Sequence, residues 1–326
     1  MLSAIIGECA AVLEPKKHTE KQTILFISIL CLLCGLFLAV ISYGLRIPQG
    51  EAKEFDRSKQ MLIAAKVLNH EGYFEILDKE GKTVKASFHP QTKTLQENPD
   101  TLKATDDQIK EVASLRIRPL LTDAQGNVLT LKEKGLDLST YLAENKRRGY
   151  ANLPLKLFYV ILPNTEEAEK MTEEEVAKDF TKVSAFVIPV SGFGLWAPIY
   201  GYIALESNGD RVIGTTWYEM GETPGLGANI TTAWWQNQFF GKLIFHESAD
   251  GKTDFSTADI GIVVVKGKVK DVYGNTYRAK SAVDGISGAT LTGDGVTAAY
   301  QDSLTPYRPF LMKIHEEGSK SEKRAA

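Results

Sequence analysis

The stretch "SAVDGISGATLTGDGVTAAYQDSL", Ser281–Leu304, decides how this chain is read. Its opening residues end a run with strand character near Val283. A turn of small residues follows, from Asp284 to Thr290. Beyond it Val296, Ala299, Tyr300 and Leu304 recur on one helical face, which predicts a helix from near Asp294. The order strand, Gly-rich turn and helix N-terminus suits an anion. The first N–H groups of a helix lack intrahelical partners, and its dipole is positive there. Gly288 and Ala289 keep bulk away from whatever approaches. No Gly-Lys-Ser/Thr follows, so this is not a P-loop, and it is not a G-x-G-x-x-G fingerprint. On the residues alone, a tight turn without a ligand remains an equal reading. Hydrolysis by Ser287 or Thr290 would need a base, and His18, His70, His89, His246 and His315 form no triad-like motif.

Upstream, "YEMGETPGLGANI", Tyr218–Ile230, has the same character. Pro224-Gly225 is a turn signal, Gly227 keeps the backbone permissive, and the loop lies between a strand and a helix candidate. The two loops predict opposing walls of one site. Trp196 in "SGFGLWAPIYGY" offers a flat surface, although an isolated Trp is more often core or interface.

The strands that carry these loops are legible. "SAFVIPV" reads as a strand, and "IYGYIALE" and "RVIGTTWYE" flank the hairpin signal Ser207-Asn208-Gly209-Asp210. "IGIVVV" and "TYRAKSAV" read as further strands. "WWQNQFFGKL" reads as a helix, with Trp235, Phe239 and Leu243 one turn apart. Hairpin joins and irregular alternation predict an α+β fold with a largely antiparallel sheet and flanking helices.

Further out, "EAKEFDRSKQMLIAAKVLNHEG" reads as a helix with Phe55, Leu62 and Ala65 on one face, ending near Gly72. "YFEILDKEGKTVKASF" reads as two strands around Glu80-Gly81. Residues 91–111 are polar and read as a loop or poorly packed insertion, and "TDAQGNVLTL" as a turn and strand. Lys146-Arg147-Arg148 reads as a solvated face. Thr172 and Glu175 fit a capping box on an acidic surface helix.

At the far end, Ile24–Leu45 reads "ILFISILCLLCGLFLAVISYGL", without a charge. That is long enough for a hydrocarbon core, which takes roughly 20 residues, and predicts an uncleaved anchor over 23–45. A span without ionisable groups offers no ion path of its own. Lys16, Lys17 and Lys21 on one side and Arg46, Lys53, Arg57 and Lys59 on the other leave the orientation undecided by charge. The 326 residues suffice for one large or two modest domains, and a net charge of −3 gives no reason to expect nucleic acid. Cys9, Cys31 and Cys34 are the only cysteines, so the chain after residue 34 has neither thiol nor disulfide.

Asp284-Gly-Ile-Ser287-Gly288-Ala289-Thr290 resembles the D-x-x-[S/T]-G-A-T flavinylation motif of FMN-binding domains. In that motif a flavin transferase joins the FMN phosphate to the hydroxyl of the last Thr. With "GETPGLG", "GLWAPIYGYIAL" and "SGATLTGDGV…PFL", the chain is similar to the NqrC family, whose members are subunits of the Na⁺-translocating NADH:quinone reductases. The likeness is strong from Ser191 to Leu311 and weak from about Phe74 to Asn164. Rnf-type subunits share the ET-P-G-L-G and S-G-A-T elements but resemble a shorter chain without "GLWAPIYGY".

The resemblance implies FMN held by a phosphoester to Thr290, with Ser287, Gly288, Ala289, Leu291 and Thr292 around it. It implies that Glu222, Thr223, Gly225 and Leu226 line the isoalloxazine from the other side, and that the flavin transferase reads Asp284. No metal and no catalytic side chain is implied. The function implied is electron relay from NADH towards ubiquinone, coupled to sodium export, as one of the six subunits of a membrane assembly. The place implied is the bacterial inner membrane. Residues 1–22 would be a cytoplasmic tail, 23–45 the anchor, 46–183 an N-terminal part with insertions, and 184–326 a periplasmic FMN-binding domain. An Rnf-type carrier, or a membrane-anchored binding or hydrolytic domain without flavin, remains an alternative on the residues.

Overall fold

Lys156–Ile161 is buried at every position, so this strand must be covered on both faces. The fold is built around that requirement. The computed structural model describes residues 19–78 and 80–325. The expected tail, with Cys9, Lys16, Lys17 and His18, therefore lies largely outside the described residues. The elements in chain order are α1 (Glu20–Gly44), α2 (Arg46–Ala64), β1 (Phe74–Leu77), β2 (Thr83–His89), β3 (Thr94–Glu97), α3 (Asp106–Arg116), β4 (Ile117–Thr122), β5 (Val128–Leu129), α4 (Leu138–Asn145), β6 (Lys156–Ile161), α5 (Glu173–Val176), β7 (Ala185–Phe193), β8 (Pro198–Glu206), β9 (Val212–Glu219), α6 (Ala233–Gln236), β10 (Val263–Val264), α7 (Val269–Val272), β11 (Ala282–Val283), α8 (Thr290–Leu304) and α9 (Arg308–Ala325).

Met1–Glu54 and Phe55–Ala326 form separate compact units. In the first, α1 has 25 residues, and its most apolar 18-residue window has a mean hydropathy of 3.1 and is not buried. At 1.5 Å per residue it is about 37 Å long, more than a hydrocarbon core of about 30 Å requires. Cys31 and Cys34 are exposed on it as free thiols.

The second unit is mixed α and β. Its main sheet runs β5-β4-β6-β7-β8-β9, every pair antiparallel. The register sorts the side chains. Val160 faces Phe186 across β6 and β7, and Tyr159 faces Val187. The first pair joins a core with α8 and α9 that includes Tyr300, Leu304 and Phe310. The second joins a core with α2, α3 and the small β1-β2-β3 sheet that includes Leu62, Ile109 and Phe88. Each large apolar side chain fully buried in such a layer stabilises the fold by roughly 1.5–3 kcal/mol.

Several expectations are corrected. Residues 91–111 are not a loop: they contain β3 and the start of α3. The polar composition hides a narrow face, Ile109, Val112 and Ala113, that is buried, and Thr105 with Gln108 closes a capping box. The helix expected to reach Gly72 stops at Ala64, and Lys66 adopts φ +53 just beyond it. Trp235 and Phe239 sit on two consecutive short turns, while Leu243 lies beyond them in an extended bridge to Arg211. "IGIVVV" and "TYRAKSAV" supply only β10 and β11, a parallel pair of two residues each. The hairpin between β8 and β9 and the Thr172–Glu175 capping box stand as read.

Candidate functional site

The position of α8 follows from small residues. A Cβ on Gly192 would lie 2.5 Å from Ala299 Cβ, and one on Gly295 would lie 2.2 Å from the Phe193 carbonyl oxygen. Only glycine lets the helix approach β7 this closely. Ser303 Oγ then accepts from the Ser191 N–H at 3.0 Å and donates to the Ser191 carbonyl at 3.1 Å. Deeper in, Thr215 Oγ1 donates to the Tyr202 carbonyl. Tyr300 OH can therefore donate to Thr215 Oγ1 at 2.6 Å while accepting from Trp217 Nε1 at 3.1 Å. The buried hydroxyls of Thr215, Tyr300 and Ser303 thus all have partners, as burial demands.

The turn before α8 is held by its backbone. Trp235 Nε1 donates to the Asp284 carbonyl, and Asp284 N donates to Gln238 Oε1, both at 3.0 Å. Gly285 packs on the Val265 carbonyl, where a Cβ would come within 2.2 Å. Gly288 takes φ +76, a conformation that favours glycine, and turns the chain into the helix. The helix starts at Thr290, four residues before the expected Asp294. The polar and Gly-rich first turn has no apolar periodicity, so that signal begins only at Val296.

Ala289, the N-cap, gives α8 no side-chain cap. Among the described residues, the N–H groups of Thr290, Leu291 and Thr292 have no partner. The hydroxyls nearby differ in circumstance. Thr290 is exposed, and among the described residues its Oγ1 makes no hydrogen bond; Ser287 is exposed in the turn. Thr292 is 2% exposed, and its Oγ1 donates to Glu222 Oε2 at 2.5 Å.

Thr290 stands between two clefts. One of about 500 Å³ is bounded by Trp234, Val265, Lys266, Lys268, Asp284 and Ser287. The other, of about 200 Å³, is bounded by Leu195, Glu222, Thr223, Leu226 and Leu291. Gly288, Ala289 and Thr290 line both. Leu195, Trp196, Leu226, Trp234 and Leu291 all leave large apolar surface exposed, with Leu291 60% and Trp196 67% accessible. Such a cluster marks a surface that something covers. Among the described histidines none lines either cleft, so the hydrolytic alternative has no histidine base there. A further cavity of about 410 Å³, beside Lys66, His70 and Gln236, shares no lining residue with either.

The structure thus brings the two Gly-containing loops together around the smaller cleft. Glu222, on the wall of that cleft, is only 5% exposed. Besides Thr292 it accepts from the Trp196 N–H at 3.0 Å. Burial pushes its carboxyl up, but the bonds from Thr292 and from the backbone of residues 195–197 outweigh this and hold it below the usual glutamate range. Thr223 accepts with its carbonyl from the N–H groups of Leu226 and Ala228, both at 3.1 Å, which closes the turn around Gly225. Gly225 has φ +77 and open space around it. Asp284 Oδ1 accepts from the Val269 N–H at 2.7 Å, which ties the turn to α7. Lys266, Lys268 and Trp234 were not anticipated. The only sequence signal was the Lys-Gly-Lys that interrupts an apolar run, and Trp234 was masked by its buried neighbour Trp235.

An α+β domain with an uncapped helix start beside an apolar-rimmed cleft is the frame of a nucleotide-cofactor domain. Residues 194–305, which include both loops, match the family model of the FMN-binding domain, and this is the class of protein the site defines. The chain belongs to the NqrC family, the FMN-binding-domain subunits of the Na(+)-translocating NADH-quinone reductases. It is 44% identical over 304 residues to the NqrC-type reductase subunit of Chlamydia caviae, covering 92% of this chain and 95% of the relative. It is 45% identical over 306 residues to that of Chlamydia pneumoniae, covering 91% and 95%. The crystal structure of the same reductase subunit from Parabacteroides distasonis is 21% identical with a TM-score of 0.49, covering 82% of this chain and 96% of that one. That likeness is too distant to add to the assignment.

Proposed function

We propose that this chain carries FMN covalently, through a phosphoester to Thr290, and relays electrons within a Na⁺-translocating NADH:quinone reductase. The observation that carries the reading is the state of Thr290: an exposed, unbonded hydroxyl at the first position of an uncapped helix, on the ridge between two clefts. Thr292 is buried and engaged, and Ser287 lies outside the helix. The free N–H groups of residues 290–292 can bind phosphate oxygens, and the helix dipole stabilises the remaining diester charge by roughly 0.3–1 kcal/mol. Lys266 and Lys268 add positive charge to the larger cleft. Leu226, Trp234 and Leu291 offer apolar surface to an isoalloxazine. The flavin, when bound, supplies the redox chemistry; the protein sets its place, exposure and potential.

In this reading electrons pass from the NADH side of the assembly towards quinone, coupled to sodium export by other subunits. The apolar rim meets those subunits. A flavin transferase installs the FMN and reads Asp284 in the exposed chain. The anchor α1 holds the protein in a bacterial inner membrane, with residues 46–326 on the periplasmic side. The direct test is the intact mass of the full chain, expressed with its flavin transferase. One FMN should stay attached after denaturation, and a mass equal to the bare polypeptide would overturn the reading. Sidedness is tested with Leu102→Cys, since Leu102 is 87% exposed. This thiol should react with an impermeant reagent in intact cells, scored against the unsubstituted chain. Labelling only after lysis would place the domain inside.

A further inference from the structure

Glu222 borders the smaller cleft, and it is only 5% exposed. It bonds three segments at once. Its own loop, 221–227, supplies it; Trp196 N–H donates to Oε1, and Thr292 Oγ1 donates to Oε2 at 2.5 Å. The partners lie 26 and 70 residues away in sequence. Two glycines make room. A Cβ on Gly194 would lie 2.5 Å from Glu222 Oε1. One on Gly227 would lie 2.5 Å from Thr292 Oγ1 and 2.7 Å from Glu222 Oε2. A side chain at either glycine would crowd the carboxylate or the hydroxyl.

We propose that Glu222 is a positioning residue: with Thr292 it latches the first turn of α8 to the 193–197 turn and the 221–227 loop, and so orients the flavin held at Thr290. The proposal rests on the flavin reading above. A buried charged acceptor with several donors is a stiff joint, because releasing any donor strands a charge in a low-dielectric site. Thr290 is two residues from Thr292 on the same turn, so its hydroxyl inherits that stiffness. The latch also keeps a negative charge behind the smaller cleft. A nearby anion disfavours the added negative charge of reduction, so it lowers the potential of a flavin lying there.

The test uses the full chain expressed with its flavin transferase, in the unsubstituted form and as Thr292→Val, Thr292→Ser and Glu222→Gln. Flavin content is read by intact mass, orientation by visible-region circular dichroism, and poise by redox titration. Thr292→Val keeps the shape but removes the bond, and should alter the flavin circular dichroism. Thr292→Ser keeps the hydroxyl and should restore it. Glu222→Gln should raise the reduced-to-oxidised ratio at fixed potential, by about tenfold for loss of a nearby unit charge. Amide hydrogen exchange in the flavin-free Thr290→Ala chain reads the latch without the cofactor. Adding Thr292→Val should there speed exchange at 194–197 and 222–227 as well as at 290–292. Unchanged dichroism, ratio and exchange in folded variants would overturn the latch. If Thr292→Val does not fold, Glu222→Gln, which conserves volume, decides the matter through the ratio. Failure of the flavin reading looks different: the unsubstituted chain would then have the mass of the bare polypeptide, or Thr290→Ala would still carry flavin.

Discussion

Through its C-terminal half α8 presses Tyr300, Ser303 and Leu304 into the sheet, with each hydroxyl paired. At its first turn the N–H groups of residues 290–292 have no partner among the described residues, and Thr290 and Leu291 are exposed. One helix thus serves two purposes. Its buried end supplies rigidity, and its open end offers groups whose needs are met by something outside the fold. Among the described residues the only polar side chain buried near the open end of α8 that bonds across loops is Thr292, through Glu222. The contrast teaches that an accessible binding edge is tolerated where the same element is anchored a few residues away.

The largest test of this contrast is Thr290→Ala. It should abolish covalent flavin, read as in-gel fluorescence and intact mass, while leaving the melting temperature of the flavin-free chain unchanged. The exposed hydroxyl makes no contact that folding requires. Persistent fluorescence would break the comparison at its open end.

Tyr300→Phe probes the buried end. It removes the acceptor of Trp217 Nε1 and the donor to Thr215, in a site without solvent access. A stranded indole N–H costs about 1–3 kcal/mol, measurable as a shift in urea midpoint. Flavin content should be unchanged, because the first turn is held separately. A variant that lost flavin but not stability would show that the two ends are not independent.

A smaller effect concerns acid. The folded state holds the Glu222 carboxyl below its ordinary value of 4.5. Its contribution to stability is therefore full above the unfolded pKa and is lost as pH falls through the folded one. Glu222→Gln removes this dependence. Its melting temperature should fall less steeply below pH 4.5 than that of the unsubstituted chain. Identical slopes would mean that the carboxylate has no special stabilisation. Ser287→Ala should change least: exposed and outside the helix, it should leave most of the flavin in place.

Much of the scaffold was legible. The β8–β9 hairpin announced itself by Ser207-Asn208-Gly209-Asp210, and the Thr172–Glu175 capping box by local spacing. Helix α3 was missed because only three of its side chains are buried, too few to stand out in a polar stretch. The start of α8 was misplaced because Gly and Thr in its first turn carry no periodicity. The site was legible as two loops but not as a pair of clefts. Lys266, Lys268 and Trp234 come to it from segments whose local pattern says nothing of a ligand.

What the amino-acid order determined by itself was whatever depends on near neighbours. It determined a charge-free span long enough for a membrane, the hairpin that turns the sheet back, and a run of small residues at a helix entrance. Tertiary structure alone decided which hydroxyl is free and which acid is buried. Thr290 and Thr292 are the same residue type two positions apart, and only the motif resemblance, not any local rule of burial, separates them in the sequence. Their difference comes from Glu222, 70 residues earlier in the chain, and from the glycines that let its carboxylate reach Thr292. Burial and desolvation are set by partners distant in sequence, so they become readable only when those partners meet in space.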